Sequence, residues 1–159
     1  MTQEIASGRI EAPFPRAWPL LFPLTYLVHI AEEFVGGFPE WSALHLGFHL
    51  DRAAFLAINE FAWIGMLVAS LAATAAAPAQ WLVIPLATVT TANGSAHIIA
   101  SAVTRTYSPG AISGVVLWIP LGIVTLVRAY RAFSRSVWWG GVVLGLALHA
   151  LVIGLALAG

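Results

Sequence analysis

The stretch TVTTANGSAHIIASAVT, residues 88–104, decides how this chain must fold. Thr90, Asn93, His97, Ser101 and Thr104 recur at intervals of three and four, the period of one helical face, on an otherwise small and apolar background. A helix of that kind has to turn its polar stripe toward protein and the rest toward lipid. The whole chain agrees with this reading. Of its 159 residues 60% are hydrophobic and only 9% charged, whereas a soluble domain carries about a quarter charged residues. Seven basic residues balance seven acidic ones, so net charge gives no reason to expect a nucleic acid partner. Cysteine is absent, which excludes disulfides, thiolate ligands and a cysteine nucleophile.

Working outward from 88–104, apolar runs near the roughly 20 residues a spanning helix needs follow one another almost without gaps. The expected fold is all-α, a polytopic membrane bundle of about five transmembrane helices over 17–38, 53–76, 81–104, 110–130 and 137–158. Residues 1–16 carry Glu4, Arg9, Glu11 and Arg16 and read as a short exposed leader rather than a signal peptide. Residues 17–159 form one domain. Between the first two spans, PEWSALHLGFHLDR (39–52) interleaves apolar and polar residues and suits a short interfacial helix. His45 and His49 would share one of its faces. Arg9, Arg16, Arg128, Arg131 and Arg135 fall on one side of a five-span topology, against Arg52 and Arg105 on the other. The positive-inside rule then places the N-terminus in the cytoplasm.

The polar residues of the spans are not scattered. In YLVHIAEEFVGG (26–37), His29 lies three and four residues before Glu32 and Glu33, so all three crowd one sector of a helix. The second span holds Asn59 and Glu60, the third Asn93 and His97, and the last His149 beside Gly141 and Gly145. At 1.5 Å rise per residue, Glu33 and His97 fall about 8–11 Å below the outer boundary, Glu60 about 12 Å, and His29, Asn93 and His149 about 13–17 Å. Helices running in alternating directions deliver these groups to one layer, open toward the outer leaflet. No lysine and no mid-span arginine is at hand to neutralise the carboxylates. A cation, protonated histidines or neutral carboxyls must do so.

HIAEE (29–33), NGSAH (93–97) and YSPG (107–110), in that order and spacing, resemble the HxxEE, NxxxH and YxPG signatures of the HXXEE-motif family of small bacterial membrane proteins. The likeness runs from about residue 20 to 130. It implies a bacterial inner-membrane location and that His29, Glu32, Glu33, Asn93, His97, Tyr107, Pro109 and Gly110 act together, without naming a reaction. Read from the residues themselves, Ser108 suits a helix cap, Pro109 the first turn and Gly110 a sharp turn, while Tyr107 suits an anchor at the boundary.

The chemistry expected of the layer is that of a membrane-embedded, metal-dependent, hydrolase-like enzyme acting on a lipid-soluble substrate. Candidate ligands are His29, Glu33, Glu60, His97 and His149. Glu32, Glu33, Asn93 and Tyr107 are the candidate catalytic groups, with a glutamate free of the metal as general base. Nitrogen and oxygen donors without thiolate suit a divalent metal, zinc first, with iron or manganese as alternatives. Two other readings stand beside this one: a metal-free acid–base isomerase or cyclase of lipids or isoprenoids, and a small proton- or ion-coupled transporter. The transporter reading requires a polar path past Thr25 and Thr90, or a homodimer of inverted copies to supply it.

Overall fold

The first expected span is cut short by its own glycines. In the computed structural model, which describes residues 12–158, a 3-10 turn at Trp18–Leu20 leads into α1 (Leu21–Val35). Gly36 ends α1, and Gly37 turns the chain with φ 72°, a left-handed conformation natural to glycine. A nine-residue helix, α2 (Phe38–Leu46), follows. Then come α3 (Arg52–Ala75), a 3-10 segment at Ala77–Leu82, α4 (Val83–Thr104), α5 (Ala111–Ala132) and α6 (Arg135–Ala158). Among the described residues every regular element is helical. Four helical stretches are long and apolar enough to cross a membrane: Arg52–Ala75, Ala77–Thr104, Ala111–Ala132 and Arg135–Ala158. The 15 residues of α1 fall short of that length.

The stripe-bearing α4 is the axis of the bundle. Half of its most apolar stretch is buried, against 11% for α6, because both α5 and α6 pack along it. A Cβ added at Gly141 or Gly145 of α6 would lie 2.7 Å from Ile84 or 2.6 Å from Thr88. The expected tight neighbour of those glycines is therefore α4. On the other side α4 and α5 cross backbone to backbone, where a Cβ on Gly94 would meet the Gly114 Cα at 3.2 Å.

The leader is not wholly exposed. Residues 1–11 lie outside the described residues, but Phe14 is buried. Its N–H donates to the Gln80 side-chain oxygen at 2.9 Å, and its carbonyl accepts from the Gln80 amide at 3.0 Å. Trp18 Nε1 donates to Thr125 Oγ1, and the Arg128 guanidinium lies over both the Phe14 and Trp18 rings. Burial of the two aromatic rings against the core accounts for the docking.

Within α5, residues Gly114–Trp118 form a π-helical turn. In a regular α-helix Ser113 and Trp118, five residues apart, would point about 140° away from each other. A π turn bonds residue i to i+5 and brings them onto one face. Both then reach the same histidine of α1.

Candidate metal centre

His29 and Glu33 lie one turn apart on α1, and His97 faces them from α4. Glu33 Oε1 is 3.7 Å from His29 Nε2 and 3.2 Å from His97 Nε2. One ligand atom from each of the three residues lies within 4.8 Å of the others, and all three are buried. Zinc bonded at about 2.0–2.1 Å in a tetrahedral shell separates its ligand atoms by about 3.3 Å. The two distances from Glu33 lie near that value.

The far nitrogen of each histidine is held by a serine. His29 Nδ1 lies 2.7 Å from Ser113 Oγ, and that hydroxyl donates to the Gly110 carbonyl at 3.3 Å. The serine lone pair therefore accepts from His29 Nδ1–H, and His29 Nε2 carries a bare lone pair toward Glu33. His97 Nδ1 lies 3.0 Å from Ser108 Oγ, while the Ser108 N–H donates to Ser101 Oγ. His29 Nε2 and the neighbouring stripe residue's Asn93 Oδ1 are buried without a hydrogen-bond partner. With its Nδ1 hydrogen committed to Ser113, His29 Nε2 presents a lone pair beside the Asn93 and Glu33 oxygens, and burying such acceptors together is costly unless a cation or a shared proton lies between them. A hydrogen-bond acceptor that fixes the tautomer and pitch of a liganding imidazole is the usual outer support of a metal site, and a serine hydroxyl can fill that place. Trp118 adds a stacked ring on His29, 3.7 Å between centroids. A Cβ on Gly110 would lie within 3.0 Å of both imidazoles.

Glu32 faces away from this cluster. It accepts from the N–H groups of Gly110 (3.1 Å), Ile112 (2.9 Å) and Ser113 (2.7 Å), and from the Tyr107 hydroxyl. Glu32 is thus the N-terminal cap of α5, supplied from another helix: a carboxylate on unpaired donors at the positive end of the helix. Ser108, expected to cap α5, spends its hydroxyl on His97 instead. Pro109 lies before the first turn of α5 and packs on Gly36, where a Cβ would meet it at 2.8 Å. Tyr107 is half-exposed and outside the cluster.

Desolvation, and after it the Glu32 carboxylate, pushes the Tyr107 phenol up from 10.0 to about 12. The folded protein holds this proton more tightly than the unfolded chain. Its contribution to stability is whole below pH 10 and is lost as pH rises through about 12. In alkaline unfolding, the wild type should lose stability over that interval more steeply than Tyr107→Phe. Parallel curves would show that the Tyr107–Glu32 contact carries no linkage.

A cavity of about 260 Å³ opens from the cluster. Glu33, Asn93 and His97 line one end, and α2, α3 and α6 supply most of the rest. His149 lines it from α6, half-buried and in the same chamber, but it is not one of the three converging residues. Glu60 is not brought to the site. It is exposed on the outside of α3, while its neighbour Asn59 faces the chamber and accepts from the Tyr26 hydroxyl at 2.9 Å. His45 and His49 do not share a helical face. Gly47, at φ 75°, ends α2 after Leu46, so His49 lies in the following loop and His45 packs on Trp41.

The family model described as "Protein of unknown function with HXXEE motif" matches residues 20–125. The chain belongs to the HXXEE family. The matched segment contains the three converging residues, Asn93, the Glu32 cap and the serines behind both imidazoles, while His149 lies beyond it. No curated protein and no solved structure matches the chain. In structural terms the family motif is two devices in one turn of helix: His29 and Glu33 enter the cluster, and Glu32 ties α1 to the start of α5. Ser113 and Trp118 escaped the sequence reading, as did the true partner of Ser108. A serine in the first turn of a helix and an aromatic residue in a span are common features, and the π turn that aims them leaves no mark in hydropathy.

Proposed function

We propose that this HXXEE protein is a membrane-embedded, metal-dependent enzyme of hydrolase type that acts on a lipid-soluble substrate. The observation that carries this reading is the convergence of His29 Nε2, His97 Nε2 and Glu33 Oε1 in one buried cluster, where His29 Nε2 and the neighbouring Asn93 Oδ1 have no hydrogen-bond partner. Two histidines and one carboxylate form a ligand set that leaves a position open for chemistry, and Glu33 and His97 line the chamber on that side. Zinc fits this set first, with iron and manganese as alternatives. His29, His97 and Glu33 would hold a divalent cation there, which would supply Lewis-acid chemistry to a carbonyl and acidity to a water.

The chain's own residues supply the rest. Glu32, tied up as a helix cap, leaves Glu33 as the carboxylate of the chamber. Asn93 offers its side-chain oxygen beside the cluster, and His149 is the titratable group placed to take up or return a proton within the chamber. Thr25 and Thr90, where a polar path onward would pass, donate to carbonyls of their own helices, which favours an enzyme over a proton relay. In this reading α1 with its 3-10 turn is a fifth, short crossing, α2 lies at the outer interface of a bacterial inner membrane, and the end rich in arginine (Arg16, Arg128, Arg131 and Arg135) faces the cytoplasm.

Elemental mass spectrometry of detergent-purified protein should find about one zinc, iron or manganese per chain. Both His97→Ala and Glu33→Gln should bring that to background while Glu60→Gln leaves it unchanged. Protein purified without chelators that holds no metal and takes none up would overturn the metal reading, leaving the Glu33–His97 contact to act as an acid–base pair.

A further inference from the structure

The ligand chemistry of the chamber can be narrowed, on the reading that a lipid-soluble substrate meets Glu33 and His97 there. At about 260 Å³ it lies just below the range of ligand pockets, about 300–1,000 Å³, room for one chain and a small head. Its walls away from the cluster are apolar, with Phe48, Phe55, Val152 and Ala156 among them. Leu46, Ile153 and Leu157 both line the cavity and are exposed, at 43%, 43% and 59%. They mark a mouth between the end of α2 and the last turns of α6, rimmed by hydrocarbon rather than charge.

The polar inventory is equally restrictive. Tyr26 and Asn59 satisfy each other across the wall, and Asn59 also donates to the Phe55 carbonyl. Among the described residues no arginine lines the chamber, and its carboxyl and imidazole groups are Glu33, His97 and His149. A phosphate head would bring a charge of about −1.5 to −2 to a place that already holds a carboxylate. One divalent cation shared with Glu33 leaves a single positive charge, too little to neutralise it.

We propose that the chamber binds a single-chain lipid with an uncharged, oxygen-bearing head, chain toward Val152 and Ala156 and head toward Glu33 and His97. Two-chain lipids and single-chain phosphate monoesters are excluded, the first by volume and the second by charge.

Three photoreactive probes test this on the detergent-purified full chain: a long-chain primary alcohol carrying a diazirine, its phosphate monoester, and a two-chain phosphatidylcholine with the same diazirine. Labelled peptides are mapped by mass spectrometry and metal content is read in the same samples. The alcohol should label the 152–157 segment at least about tenfold more than either other probe, since an uncompensated ionised head costs more than the 1.4 kcal/mol that a factor of ten represents. Ala156→Phe, or Ile153→Trp at the rim, should abolish that labelling while retaining metal. Comparable labelling by the phosphate ester or the two-chain lipid, or no labelling of the chamber by the alcohol, would overturn the inference whatever the metal content. Labelling by the alcohol in protein that binds no metal would uphold it and remove only the metal.

Discussion

Alanine at position 110 is expected to dismantle the centre. Gly110 has φ 102°, where a side chain costs about 1–3 kcal/mol in backbone strain alone. The added methyl would also lie 2.8 Å from His97 Cε1, 2.9 Å from His29 Cε1 and 3.0 Å from His97 Nδ1. Neither ring can retreat, because His29 is sandwiched against Trp118 and tied to Ser113, and His97 is tied to Ser108. Gly110→Ala should therefore lose metal to background and at least about 3 kcal/mol of stability, strain and overpacking together. Gly47→Ala is the matched control. Its φ is 75° but nothing lies within 4 Å of the new methyl, so it should cost only about 1–2 kcal/mol and keep its metal. Metal content and denaturant unfolding in detergent measure both. Normal metal content in Gly110→Ala would mean that the two rings are not held where they lie here.

The second large effect is expected at Glu32, through a different route. Glu32→Gln keeps one oxygen for Gly110 and Ile112 but turns an amide group toward the Ser113 N–H, donor against donor. Losing a charged acceptor from the helix terminus should cost about 2–3 kcal/mol. Ser113 is also the residue whose hydroxyl orients His29. Metal affinity should then fall about 10- to 100-fold, the usual result of disturbing a ligand's outer partner. Ser113→Ala separates the two consequences: the same loss of affinity, with much less loss of stability. Equal metal affinity in wild type and Glu32→Gln would show that the cap and the centre are independent.

Depth along each helix was legible in the sequence; direction around it was not. The 1.5 Å ruler places Glu33, His97 and His149 within one layer, and they do line one chamber. The same ruler places Glu60 there, but neighbouring residues diverge by about 100° around a helix, and it is Asn59 that turns inward. The pair Glu32 and Glu33 poses the same problem on α1. Their spacings to His29 both suggest contact, yet one carboxylate joins the histidines and the other crosses to α5. The polar stripe of α4 was readable because four intervals in a row repeat the helical period, which fixes an azimuth as a single residue cannot. Partners from non-periodic segments, Ser108 and the π-helical flank of Ser113, had no such signal. The four long helices followed directly from hydropathy; α1 was overestimated because Gly36 and Gly37 stop it, in a run whose apolarity continues through Phe38.

The π turn in α5 has a consequence for how members of such a family must be aligned and edited. It stores one residue more than a regular helix needs over the same height. Deleting any one of residues 114–118 would let the turn relax, swinging the Gly110–Ser113 end by about 100° relative to the α4-facing half of the helix. Glycine cradle, serine support and helix cap would leave the imidazoles together. Such a chain would have the same hydropathy profile, the same motifs and nearly the same length, and no pocket for an ion. In this fold, integer length between the last motif and Trp118 determines the convergence of His29, Glu33 and His97 as much as the identity of those residues does.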